Sequence, residues 1–137
     1  MIQPHLDIVK EAAAWVGPDL SNRMDWILHL NDVELEEIDH ALTNIKAKNI
    51  SIPFQKSDFP LPTLSTKITK LYDILENGLG FSLVRGIPRD KYSNEECEII
   101  YWGIGIHLGT PVSQNTRGHL LGHVTDEGRK ISDPNTR

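Results

Sequence analysis

The side chains best suited to chemistry lie in the last third of the sequence: His107, His119, His123 and Asp126. Histidine is the commonest metal ligand, and a nearby carboxylate can complete a site. His119 and His123 are four residues apart, so a strand would place both on one face. Non-haem iron triads, however, usually open with His-x-Asp or His-x-Glu, whereas two residues separate His123 from Asp126. We therefore interpret the histidines as scaffold residues, and a metalloprotein built on His119, His123 and Asp126 is the least favoured hypothesis.

Two neighbouring carboxamides, Gln114 and Asn115, stand at the end of a predicted short strand. A carboxamide both donates and accepts hydrogen bonds, so it suits either a bound substrate or the backbone of a turn. Turn formation is the favoured interpretation, and both residues are kept as candidates for a substrate pocket. We assign no residue of this sequence to catalysis, to cofactor binding or to metal binding.

Several other groups have simpler structural interpretations. Gly103 and Gly105 lie inside a helical pattern rather than between a strand and a helix, so they predict close helix packing and not a phosphate loop. Cys97 is interpreted as a small buried apolar residue, and His107 as a partly buried side chain with a hydrogen-bond partner. A solvated helix face is the interpretation for four acidic residues, Glu34, Glu36, Glu37 and Asp39.

Hydrophobic periodicity and capping signals predict four helices. They span residues 6–15, 32–48, 64–77 (closed by a C-cap at Asn77-Gly78) and 93–108. The second helix begins with a capping box formed by Asn31 and Glu34, and the fourth with one formed by Ser93 and Glu96. Gly17-Pro18 is expected to end the first helix.

Three strands are predicted, at residues 80–86, 112–115 and 120–125, with a turn at 116–118 between the last two. Residues 50–62 contain three prolines and are interpreted as an extended linker on the surface. Residues 21–27 are interpreted as a polar turn that leads into an apolar patch, and residues 128–137 as a polar end without a closing element. Open strand edges need partners, so we expect the chain to stop within a sheet.

Composition limits the class of protein. Apolar residues make up 39% and charged residues 24% of 137 residues, which is typical of a soluble globular domain rather than a disordered chain. The net charge of −5 argues against a nucleic-acid partner, which needs clustered cations. The single cysteine excludes an internal disulfide. No secretory signal and no membrane-spanning stretch are visible, so a cytoplasmic location without a membrane partner is expected.

The C-terminal half carries a recognisable pattern in three runs. These are residues 80–88 (GFSLVRGIP), residues 103–115 (GIGIHLGTPVSQN) and residues 133–137 (DPNTR). Together they resemble the start of the taurine dioxygenase-like (TauD/TfdA) family. The resemblance covers roughly residues 60 to 137, while residues before 60 are similar to the helical N-terminal extension of some members.

The resemblance implies a double-stranded β-helix (jelly-roll) enzyme that uses Fe(II) and 2-oxoglutarate. In that family a His-x-Asp pair and a later His hold the iron, and an Arg near the C-terminus grips the cosubstrate. None of these motifs has a counterpart here, and the resemblance places them beyond Arg137. We therefore expect an α+β fold of N-terminal helices plus the first strands of an incomplete jelly-roll. Residues 1–60 would form a helical extension and linker, and residues 61–137 the truncated start of the dioxygenase domain.

The favoured functional hypothesis is an N-terminal fragment of a 2-oxoglutarate-dependent oxidoreductase, inactive alone, whose full-length form acts on a small molecule. The alternative is a non-catalytic binding or regulatory protein built on the same scaffold. Such a protein would pair its open sheet edge with another chain, including a second copy of itself.

Overall fold

Helices and two short strands alternate in an α+β fold, as expected. The computed structural model describes residues 8–126 and 128. In chain order the elements are α1 (Gly17–Leu20), β1 (Ile27–His29), α2 (Asp32–Ala47), α3 (Leu64–Asn77), β2 (Leu83–Arg85) and α4 (Asn94–Leu108), with 3-10 turns at Lys56–Asp58 and Arg89–Lys91. Within the described residues, no helix is both long and apolar enough to cross a lipid bilayer.

The three longer predicted helices are confirmed, and their caps explain where two of them begin. At the start of α2 the Asn31 side chain accepts from the Glu34 N–H at 3.0 Å, and the Glu34 carboxylate accepts from the Asn31 N–H at 2.9 Å. Ser93 and Glu96 form the same reciprocal pair before α4. These bonds satisfy backbone donors that have no partner within the helix.

The predicted N-terminal helix is wrong over its described part. Residues 8–16 are not helical, and α1 instead contains the Gly17-Pro18 pair that was expected to end a helix. Proline is tolerated in a first turn because its missing N–H would have no partner there. Trp15 holds the preceding segment against the start of β2, since its indole N–H donates to the Leu79 carbonyl at 2.9 Å and its ring lies 5.0 Å from that of Phe81. Residues 1–7 of the prediction lie outside the described residues.

A two-stranded parallel sheet joins β1 to β2, with Leu28 opposite Val84. The predicted strand at 80–86 is confirmed at its centre, whereas β1 was not expected. Leu28 and Val84 line one small cavity together with Ile68 and Leu71, so this face of the sheet packs on α3. Three residues are too few to show the alternation by which a strand is recognised in sequence.

The strands predicted at 112–115 and 120–125 are wrong among the described residues. Neither segment forms a strand, and the backbone hydrogen bond nearest to such a pairing runs from the Gln114 N–H to the carbonyl of His119, which precedes the second segment, at 2.7 Å. The turn between them is confirmed, because the Gly118 N–H donates to the Asn115 carbonyl at 3.0 Å. The segment is almost entirely exposed, so no burial fixes an extended pair. Of the polar end at 128–137, all but Gly128 lies outside the described residues.

The prediction that residues 50–62 form a surface linker is wrong for the large apolar side chains of this segment. The segment packs beside α2 and α4 and buries Phe54, Phe59 and Leu61, while its three prolines stay exposed. Two α4 side chains fix its backbone: the Trp102 indole N–H donates to the Phe54 carbonyl at 3.1 Å, and His107 Nε2 lies 2.7 Å from the Phe59 carbonyl oxygen. We name residues 50–62 the core loop.

Gly103 confirms the prediction of close helix packing. A Cβ atom at this position would lie 2.5 Å from Cδ1 of the Phe59 ring, which is fully buried and has no room to move aside. By contrast, no described atom lies within 4 Å of a Cβ placed at Gly105. The two helix glycines therefore stand in different surroundings, although they are two residues apart.

We expect Gly103→Ala to lower the free energy of unfolding by about 1–3 kcal/mol, because the added methyl overpacks the Phe59 ring. Gly105→Ala is the matched control and is expected to raise it by up to ~1 kcal/mol through helix propensity alone. Urea denaturation of both variants measures the difference. Equal effects of the two substitutions would contradict the assigned packing.

The acidic residues of α2 do not form a solvated face, and that interpretation is wrong for three of the four. Glu34 is only 4% exposed, and its carboxylate lies 2.6 Å from Lys67 Nζ of α3. The Glu37 carboxylate accepts from the backbone N–H groups of Thr63 and Leu64 at 2.7 and 2.8 Å. Asp39 accepts from Lys91 and from the Tyr92 hydroxyl. Of the four only Glu36 is exposed.

Glu37 acts as the N-terminal cap of α3 from a neighbouring helix, because the Thr63 side chain makes no capping bond. We expect Glu37→Ala to cost about 1–2 kcal/mol of stability, from lost capping bonds and a lost charge at the positive end of the helix. Glu36→Ala, one position away and exposed, should change stability by less than ~0.5 kcal/mol. Thermal unfolding of the two variants under identical conditions tests this, and similar losses would refute the capping role.

Candidate functional site

An open groove runs along the C-terminal half of α4. It consists of two neighbouring cavities of about 350 and 200 Å³. Six residues line both: Trp102, Ile106, Gly109, Thr110, Pro111 and Leu120. We name it the α4 groove. One of the runs that carry the family resemblance, residues 103–115, supplies four of these six residues.

Three local features of the sequence build the groove. The buried Trp102 indole, held by the Phe54 carbonyl, forms its floor together with the core loop. Gly109 and Pro111 end α4 and direct the chain away from the helix axis. The turn after Asn115 then brings Leu120 back to the opposite wall.

The larger cavity is suited to binding rather than to acid–base chemistry. Its polar side chains are Gln55, Lys56 and Thr110, and the Lys56 ammonium is its single titratable group. Proton transfer in catalysis needs a positioned acid or base whose pKa is near the working pH. The lining of this cavity contains no carboxylate and no histidine that could serve as one. No sequence pattern pointed to Lys56, because the core loop was predicted to lie on the surface and not to form a wall of a cavity.

Gln114 and Asn115 do not line the α4 groove. The Asn115 carboxamide oxygen accepts from the N–H groups of Arg117 and His119 at 3.0 and 3.2 Å, and its nitrogen lies 3.0 Å from His119 Nδ1. The Gln114 carboxamide donates to the Val112 carbonyl at 2.9 Å. Both carboxamides therefore organise the turn, and substrate contact by either of them stays a prediction.

The histidines considered for a metal site have separate partners. His119 contacts Asn115, whereas His123 Nε2 lies 2.9 Å from the Glu98 carboxylate. Asp126 accepts from the Gly128 N–H at 2.7 Å. Among residues 8–126 and 128, no three His, Cys, Asp or Glu side chains come together in a way that could hold a metal ion.

His107 is half-buried and bonded through one ring nitrogen, as the sequence predicts. Its Nε2 faces the Phe59 carbonyl oxygen at 2.7 Å, so this nitrogen carries the proton and donates. Its Nδ1 is buried and has no partner among the described residues. The ring thus serves to hold the core loop on α4.

Glu34 and Lys67 form the most buried ion pair among the described residues. Burial raises the pKa of the Glu34 carboxyl, but the Lys67 ammonium and the Asn31 N–H outweigh that effect and hold the pKa below its ordinary value. Lys67 also donates to the His29 carbonyl at 2.6 Å, which ties α2 and α3 to β1. A folded-state pKa below the unfolded value of 4.5 means that the pair stabilises the fold above that pH. The stabilisation is lost as the pH falls through the folded pKa.

Lys67→Met should therefore have a pH-dependent cost. At pH 7 we expect the variant to lose about 2 kcal/mol of stability, since a buried carboxylate is left without its cation. At pH 3 the deficit should shrink, because the stabilisation that comes from the lowered Glu34 pKa is lost as the pH falls below the unfolded value of 4.5. Lys70→Met, at an exposed lysine of the same helix, is the control. Chemical denaturation at both pH values measures the effect, and a deficit that is the same at pH 7 and pH 3 would contradict the pairing.

Comparison with known proteins gives two distant relatives, and no family model matches the chain. An FR-33289 synthase from Streptomyces rubellomurinus is 24% identical over 118 residues, which is 85% of this chain and 35% of that protein. A taurine hydroxylase-like protein from Stachybotrys chartarum is 24% identical over 127 residues, 91% of this chain and 33% of that protein. The chain thus spans about a third of the length of these curated relatives. The similarity suggests a TauD-like oxidoreductase family.

Proposed function

We propose that this chain is the helical scaffold portion of an Fe(II)- and 2-oxoglutarate-dependent oxidoreductase that acts on a small molecule, within a longer polypeptide. One observation carries the proposal: the similarity to two named enzymes extends over 85% and 91% of this chain but only 35% and 33% of theirs. A match of this kind is typical of one structural portion shared with larger proteins. The packing of α4 on both α2 and α3, next to a short sheet, supports a scaffold role.

The described residues do not fit an iron centre. A facial triad needs two histidines and a carboxylate around one ion, and the candidate side chains here are each bonded elsewhere. No catalytic step is therefore assigned to them. In the proposal the metal ligands and the cosubstrate Arg belong to the longer polypeptide, and this chain positions the core loop and α4 beside them.

A second candidate function is that of a non-catalytic binding protein, and one observation favours it. The sheet has only β1 and β2 among the described elements, so each strand has an outer edge without a described neighbour. Such edges can accept a strand from another chain. A partner would then be recognised through backbone hydrogen bonds and not through a reaction.

Expression of the complete reading frame that contains this chain tests the proposed function. We expect an in-frame His-x-Asp pair after Arg137, and we expect the complete polypeptide with Fe(II) and O2 to convert 2-oxoglutarate to succinate and CO2, with one oxygen atom of O2 entering succinate and the other the small-molecule substrate. The 137-residue chain alone should produce no succinate under the same conditions. The matched control is the complete polypeptide with the His of that pair replaced by Ala, which should also be inactive.

Two results would overturn the proposal. The first is a reading frame without a His-x-Asp pair, and the second is a complete polypeptide that folds but leaves 2-oxoglutarate unconsumed. A stable dimer of the 137-residue chain joined through β1 or β2 would instead support the binding protein.

A further inference from the structure

No contact among the described residues explains why α4 has a glycine at position 105. Glycine in a helix interior costs stability relative to alanine, so a folded protein usually keeps it for close packing or a special backbone angle. Gly103 meets that condition because the Phe59 ring lies against it, whereas a Cβ at Gly105 would have no described atom within 4 Å. A residue whose local conformational preference conflicts with the surrounding fold often lies at a functional position.

The surroundings of Gly105 are apolar and exposed. From Ile99 to Leu108 the helix contains no Asp, Glu, Lys or Arg, and a helix that is apolar on every side is typical of one that is buried on every side. Yet Tyr101 is 73% exposed, and Gly105 is exposed as well. One side of α4 is therefore built for burial and is left open by the described residues.

The open side continues onto the segment after the helix. Leu120 and Leu121 lie beside Tyr101 and Gly105 around the 200 Å³ cavity of the α4 groove, and no residue of its lining is Asp, Glu, Lys or Arg. We name these four residues the Gly105 face. Its lack of charge suits an apolar partner surface and disfavours a charged ligand.

We propose that the Gly105 face is the docking surface for the rest of the longer polypeptide, which places a backbone segment or an apolar side chain directly on Gly105. The occupant follows from length, since about two thirds of each curated relative has no counterpart in this chain. Glycine is the residue that allows such an approach, because any side chain would occupy the contact position. This inference rests on one part of the proposed function, namely that the chain belongs to a longer polypeptide.

Substitution of Gly105 in two backgrounds tests the docking. In the 137-residue chain, Gly105→Ala and Gly105→Leu should leave Tm unchanged or raise it, since the position is open. In the complete polypeptide the same two changes should lower Tm progressively, with the leucine variant lower than the alanine variant. Thr66→Leu adds an exposed leucine on α3 and is the control, with no change in either background.

The other occupants give distinct results, and each of them overturns the proposal. Sedimentation that shows a dimer of the 137-residue chain, dissociated by Gly105→Leu, would assign the face to a second copy. A loss of Tm in the short chain that disappears on deletion of residues 129–137 would assign it to that segment. Equal Tm for all Gly105 variants of the complete polypeptide would show that nothing docks there.

Failure of this inference is distinguishable from failure of the proposed function. A complete polypeptide that is destabilised by Gly105→Leu but does not consume 2-oxoglutarate keeps the docking surface and removes the proposed activity. One that consumes 2-oxoglutarate and tolerates leucine at this position keeps the activity and removes the docking surface.

Discussion

The contact between the Phe59 ring and the backbone of Gly103 sets how closely the core loop approaches α4. Because the ring is fully buried and a Cβ at Gly103 would overlap it, neither residue can change size independently. The short distance also brings two loop carbonyls within reach of Trp102 and His107. Buried backbone oxygens that would otherwise lack partners are thereby satisfied, and a proline-interrupted segment without regular structure becomes part of the core.

Helix α2 complements that apolar contact with electrostatic ones. Its polar side chains reach the other elements through direct bonds: Glu34 to Lys67, Glu37 to the first residues of α3, Asp39 to Lys91 and Tyr92, and Lys46 to Glu96. Burial, and then the bond to Asp39, raise the pKa of the Tyr92 hydroxyl, which remains a proton donor across the neutral range. The helix therefore fixes the positions of α3 and α4 as well as contributing to the core.

The features that were predicted correctly from sequence are those that depend on neighbouring residues. Capping boxes and a 3.6-residue period define α2 and α4, and both are properties of neighbouring residues. The pairing of β1 with β2, the burial of the core loop and the partners of the α2 carboxylates depend on residues far apart in sequence. Hydrophobic periodicity does not reveal such long-range contacts. Glu37 was therefore interpreted as a solvated side chain, although it caps α3. The candidate site has the same limit, because Lys56 and Trp102 come together only through the folded loop.

The two glycines of α4 differ in whether contacts with the described residues explain them. Gly103 and Gly105 carry the same helix penalty and show the same sequence signal, yet among the described residues only Gly103 has a neighbour that requires a glycine. The packing at Gly103 does not offset the helix-propensity cost at Gly105, so Gly105 needs a separate explanation. An uncharged, exposed helix face around it, in a chain that spans about a third of its relatives, supports the proposed contact with the rest of a longer polypeptide.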